Sequence, residues 1–206
     1  MEKKQIIPEA FFDSLSLAKK LDDFLDGFKK EEIQLFAYFS LILHAYKGND
    51  VSSWGYSFIV DEKGFPFSKE LNDAIERHIK NALFENKADY YIVSGRGVDE
   101  FNRFKNLDDF GDREKVISAS CTTGILIPFS QTRDALLHDP ELVKAKALGG
   151  KREIEKSIYS KFKEVSDAIG SPVAEDYIIP ALSWINYIRV ETETNEGEQL
   201  CQINEQ

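Results

Sequence analysis

The sequence predicts a mostly α-helical protein with one small β-hairpin. Two observations carry this. Apolar residues recur at three- and four-residue spacings along most of the chain, while strand-like runs are confined to short stretches near residues 54–60 and 83–93. The chain has 206 residues, 42% of them hydrophobic, which is enough for a sizeable core in one domain, or a small domain with an appendage.

Each element follows from local signals. A first helix is expected over residues 13–28, where Leu17, Leu21, Phe24, Leu25 and Phe28 draw one apolar stripe. A second, over 31–47, opens with two acidic residues at the positive end of its dipole. Its Ile33, Leu35, Phe36, Phe39, Ile42 and Leu43 leave so little polar face that it should be central. Gly48-Asn49-Asp50 stops it. Residues 54–60 read as a strand and Asp61-Glu62-Lys63-Gly64 as its turn. Ser68 is the N-cap of a third helix, on which Leu71, Ala74, Ile75, His78, Ile79, Ala82 and Leu83 share one face. Two β segments around Asn86-Lys87-Ala88-Asp89 form the hairpin. Ser94-Gly95-Arg96-Gly97 breaks it, and Val98, Phe101, Phe104 and Leu107 mark a short helix.

The remainder reads as helical. A helix over 113–127 is interrupted by Thr122-Thr123-Gly124, and Asp139-Pro140-Glu141 is a helix start. Ile154, Ile158, Phe162, Val165 and Ile169 form a regular stripe, ended by Gly170-Ser171-Pro172. A last helix is expected over 174–188, kinked or restarted at Pro180. The chain thus divides into an N-terminal part (1–110), a helical part (111–189) and an acidic tail (190–206). The tail holds five glutamates and no basic residue, so it is expected to stay solvated and disordered.

Composition excludes several classes of function. No apolar run approaches 18 residues, so no membrane span is expected. The N-terminus carries no secretory signal pattern, and two cysteines, Cys121 and Cys201, make neither a disulfide framework nor a metal site. A cytoplasmic protein follows. A net charge of −10 argues against a generic nucleic-acid binder. One segment is locally basic: between Lys144 and Lys163, seven cations including Lys151, Arg152 and Lys156 outnumber Glu153 and Glu155.

The order helix, strand, helix, hairpin, helix over residues 31–107 carries a resemblance. Gly64-Phe65-Pro66-Phe67-Ser68-Lys69-Glu70-Leu71 leads into a helix at the recognition position of a winged-helix domain. Tyr90-Tyr91-Ile92-Val93-Ser94-Gly95-Arg96-Gly97-Val98 resembles the wing's return strand running into a following helix. A winged-helix-like core followed by a helical C-terminal part resembles the middle components of ABC-three-component systems, including Lamassu-type anti-phage defence. The resemblance implies an accessory subunit that binds partner proteins, among them an SMC-like ATPase and an effector subunit, with DNA as an auxiliary contact. The motifs are also shared with winged-helix transcription regulators and antitoxins.

Lys69, Arg77 and Lys80 on the third helix, with Lys87 and Arg96 on the hairpin and just after it, are the candidate partner or DNA contacts there. Lys151, Arg152 and Lys156 are the candidates in the helical part. Glu70, Asp73, Glu76, Glu85 and Asp89 share the first set's surfaces, so by count that face is neutral, which favours protein contact over DNA. Motifs for catalysis are weak. Gly95-Arg96-Gly97-Val98-Asp99-Glu100 lacks the third glycine of a dinucleotide fingerprint, and Gly150-Lys151-Arg152 lacks the rest of a P-loop. His44, His78 and His138 lack the spacing of a zinc site, and His44 and His78 read as core or core-edge residues. Asp61-Glu62-Lys63 with Asp50 could hold Mg²⁺ in a nuclease, although a plain turn is the simpler account. The expectation is a non-catalytic adaptor without cofactor or metal. A DNA-binding regulator or antitoxin and a metal-dependent nuclease are the alternatives.

Overall fold

The computed structural model describes residues 6–148 and 177–204, with side chains described up to 194. Among these residues the chain is mostly helical, with two small antiparallel strand pairs. Helix α1 (Pro8–Leu25) starts earlier than its apolar stripe suggests, because Pro8 supplies a preset φ at the first helical position. Helix α2 (Lys30–Tyr46) is central: Ile33 through Leu43 is buried without interruption, with α1 on one side and α5 (Gly111–Leu126) on another.

Residues 54–60 do not form the full strand expected. Val51–Trp54 is a 3-10 turn, and only β1 (Ile59–Val60) pairs, with β2 (Pro66–Phe67). The period-two pattern nevertheless reports burial correctly, since Trp54, Tyr56, Phe58 and Val60 all point inward. What is missing is a partner edge, because β2 is only two residues long. Helix α3 (Lys69–Lys80) begins where Ser68 Oγ accepts the Leu71 N–H at 3.4 Å. Gln34 fixes that start to α2 through two bonds to the Ser68 backbone, at 2.8 and 3.0 Å. Leu71, Ile75 and Leu83 are buried and Ile79 half-buried, but α3 ends before Leu83. The Leu83 N–H bonds the His78 carbonyl and the Ala82 N–H bonds that of Ile79, the Schellman closure, with Ala82 at φ 56.

The hairpin joins β3 (Phe84–Lys87) to β4 (Tyr90–Val93). Its other neighbour is Phe28, between α1 and α2, which exchanges two backbone bonds of 2.8 Å with Tyr91. The strand over 54–60 is therefore not part of this small sheet. Helix α4 (Gly95–Lys105) starts immediately, because Ser94, rather than breaking the chain, caps it by accepting the Gly97 N–H.

Helix α5 runs through Thr122-Thr123-Gly124 without a break. Residues 129–137, for which the sequence gives no clear signal, form α6 (Phe129–Leu137), and Asp139 caps α7 (Pro140–Ala147) as its motif predicts. The stripe Ile154–Ile169 and the cations Lys151, Arg152 and Lys156 lie outside the described residues. Helix α8 (Ile178–Asn204) starts near Pro180 and continues through the segment expected to be a disordered tail. Helix propagation adds one bond per residue, and the glutamates there are good helix formers, so composition alone does not stop it. Thr192 and Thr194 hydroxyls also bond carbonyls four residues back. No helix among the described residues is long and apolar enough to cross a membrane.

Candidate functional site

Among the described residues, two surface concavities, a Ser–His contact at the surface and two buried polar clusters hold the residues that could carry function. The larger concavity, about 530 Å³, lies where the α1–α2 turn, the hairpin and α6 meet. Leu25, Phe28, Tyr90 and Phe129 give it an apolar floor, and Lys29 and Arg133 stand against Asp26 and Glu32 at its edges. Tyr90 is 40% exposed, and Phe24, on the last turn of α1, is 47% exposed. The turn is shaped for this: a Cβ on Gly27, whose φ is +139, would lie 2.2 Å from the Tyr90 ring.

The smaller concavity, about 380 Å³, separates the end of α3 from the start of α4. It brings together Lys80 and Arg96, two of the cations singled out in the sequence. Lys69 and Arg77 are exposed along α3, outside this concavity, and Lys87 pairs with Glu85 at 3.1 Å on the hairpin.

A Ser–His contact, absent from the sequence reasoning, is present at the end of α2. His44 Nε2 lies 3.0 Å from Ser53 Oγ, and the Asn49 amide lies 3.4 Å from Nδ1. The hydrogen-bond roles decide its meaning. Asn49 Nδ2 also donates to the His44 carbonyl at 3.1 Å, so its nitrogen faces Nδ1, which must accept. Nε2 then carries the proton and donates to Ser53, while Ser53 donates to the Asp50 carbonyl at 2.6 Å. A general base needs the opposite tautomer. The cluster holds the 3-10 turn against α2 and leaves Ser53 unactivated.

Most buried polar groups are held by structural contacts, although Trp54 Nε1 and His78 Nδ1 are buried with no hydrogen-bond partner among the described residues. The Asp13 carboxylate takes Arg113 Nε at 2.5 Å, Arg113 Nη2 at 2.7 Å and the Tyr56 hydroxyl at 2.5 Å. Burial lifts the Asp13 carboxyl, against the pull of the guanidinium. Arg113 lies over the Trp54 ring at 3.7 Å and bonds its carbonyl. His78 is wedged between the rings of Phe11 and Phe84, its Nε2 near the Phe11 carbonyl and Ser14 Oγ, and burial lowers its pKa to about 4. Burial raises the Cys121 thiol to about 12, too high for a nucleophile at neutral pH.

Asp61, Lys63 and Asp50, the residues of the nuclease alternative, form turns. Asp61 Oδ1 accepts the Lys63 and Phe65 N–H groups, and Asp50 Oδ1 accepts that of Ser52. No group of three His, Cys, Asp or Glu side chains suited to a metal ion occurs among the described residues. No family model, curated protein or solved structure matches the chain.

Proposed function

We propose that this chain is a non-catalytic adaptor, built on a winged-helix core, that binds partner proteins within a larger assembly. The observation that carries the reading is the groove around Tyr90. It is wide, floored by aromatic and aliphatic side chains, and rimmed by two cations and two carboxylates. A balanced rim around an exposed aromatic anchor suits a protein surface better than a polyanion. Exposed apolar area of this kind on a soluble chain marks contact sites.

The order of elements supports the winged-helix part. Helix α1, the Phe28 bridge, α2, α3 and the hairpin follow one another as helix, strand, helix, helix and two strands, with residues 51–67 as an insertion between the last two helices. The resemblance drawn from the sequence then suggests an SMC-like ATPase and an effector subunit as partners, in an anti-phage defence complex of the cytoplasm.

The test is affinity purification from the native host, comparing the parent with Tyr90→Ser combined with Arg133→Glu. Both side chains are exposed, so the variant should fold normally, lose the co-purifying proteins and leave an ATPase among those lost. A variant that retains the same partners in the same ratio overturns the groove as the docking site.

A further inference from the structure

We propose that the outer edge of β3 pairs with the same edge of a second copy of this chain, antiparallel and centred on Asn86. This goes beyond the docking groove and does not rest on it.

The register of the small sheet leaves this edge open. Tyr91 gives both its backbone groups to Phe28, so its place opposite Asn86 is a non-hydrogen-bonded pair. The N–H and C=O of Asn86 therefore point away from β4, and no hydrogen bond among the described residues takes them. Glu85, Asn86 and Lys87 are all exposed. An edge of this kind is a template for another strand.

The side chains decide which strand fits. Glu85 and Lys87 lie on one face of β3, with Lys87 Nζ 3.1 Å from the Glu85 carboxylate. Two-fold pairing about Asn86 sets this residue opposite its own copy, where the two exchange both backbone bonds. Glu85 of each chain then falls opposite Lys87 of the other, at the non-hydrogen-bonded positions where cross-strand side chains lie closest. The four charges alternate around a closed ring. The neighbouring two-fold register, centred on Glu85, sets one Glu85 against the other and is disfavoured. Charge complementarity thus selects a second copy as the occupant, because a strand without this order of acid and base leaves both charges unmatched. Ala82 and Ala88, at φ 56 and 62, turn the chain out of line on either side of the edge. The contact is therefore short, and the dimer should dissociate on dilution. A net charge of −10 opposes self-association that is not specific.

The test is sedimentation velocity of the full chain over a concentration series at about 0.15 M salt. The parent should form a dimer whose fraction rises with concentration. Glu85→Lys and Lys87→Glu, each alone, put four like charges in the ring and should weaken association about tenfold or more. Glu85→Lys moves the net charge from −10 to about −8, so bulk charge predicts the opposite change. Mixing the two variants one to one should restore the dimer, since each chain then supplies the charges that the other lacks. Asn86→Pro removes the outward N–H without touching a bond to β4, and should also give monomer. Denaturation midpoints of the charge variants, which should match the parent's, separate loss of the contact from loss of the fold. A parent that stays monomeric up to about 1 mM overturns the proposal and leaves the edge to a strand of another protein. Single charge variants that dimerise like the parent, or a mixture no better than its components, overturn it equally.

Discussion

The indole Nε1 of Trp184 donates to Asp139 Oδ2 at 3.1 Å, in a site with no solvent exposure. Oδ1 of the same carboxylate takes the Tyr38 hydroxyl at 3.0 Å and the Glu141 N–H at 3.0 Å. One side chain therefore pins α2 and α8 to the N-terminus of α7. Among the described residues no cation lies in its hydrogen-bonded shell, and burial raises its pKa from 3.8 to about 6 despite three donors.

That shift predicts a pH dependence of stability. A carboxyl with a raised folded-state pKa binds its proton more tightly in the native state, so its contribution is full below about 3.8 and lost as pH rises through about 6. His78 acts in the opposite sense. Its pKa falls from 6.5 to about 4, so its contribution is full above 6.5 and lost as pH drops through about 4. Each is worth roughly 3 kcal/mol over its window, and the two slopes largely cancel between pH 4 and 6. Urea denaturation as a function of pH should show this directly. His78→Gln should leave a stability that falls with pH across that window, and Asp139→Asn one that rises. Parallel profiles for the two variants would contradict the assignment.

Ile75 gives a simpler test of the core. It is fully buried on α3, so Ile75→Ala should cost about 2–5 kcal/mol, measured as a lowered denaturation midpoint. An unchanged midpoint would remove α3 from the core.

The α3 stripe was legible in sequence because burial repeats at a fixed spacing, and the Asp139 cap because Asp-Pro-Glu carries a local signal. The strand over 54–60 was misread for a related reason: alternation reports which side chains face inward, not whether an edge is available to pair. Lys80 and Arg96 were each visible as cations, but their meeting depends on Ser94 bonding the Ala82 carbonyl, a tertiary event with no periodic trace. The Asp13–Arg113 pair spans 100 residues, and nothing local in either neighbourhood points to the other. Composition likewise could not stop α8 at Val190.

Ala82 sits at φ 56, the left-handed position that ends α3 and that glycine favours. A left-handed alanine costs about 1–2 kcal/mol, against a smaller loss of unfolded-state entropy for glycine. Ala82→Gly should therefore stabilise the protein by about 0.5–1 kcal/mol in equilibrium denaturation. A destabilised variant would mean that the Ala82 methyl packs against the cleft wall strongly enough to outweigh the strain.

Asp13 and Arg113 make the strongest demand on the fold, since the carboxylate is fully buried and the guanidinium nearly so. Removing one partner leaves the other charged in a medium that cannot solvate it. Arg113→Met should thus cost about 3–5 kcal/mol, more than the lost area of the stem explains, while Asp13→Asn should cost less because an amide can still meet Tyr56. The double variant Asp13→Leu with Arg113→Met should recover much of the loss, because it buries neither charge. Tyr56 is then left without its acceptor, which sets the limit of that recovery. Asp13→Leu alone, Arg113→Met alone and the two together form a double-mutant cycle, and urea denaturation reads the coupling. If the two single losses simply add in the double variant, the pair is not an ion pair of consequence, and the contact of Arg113 with the Trp54 ring at 3.7 Å is what holds α5 against the turn.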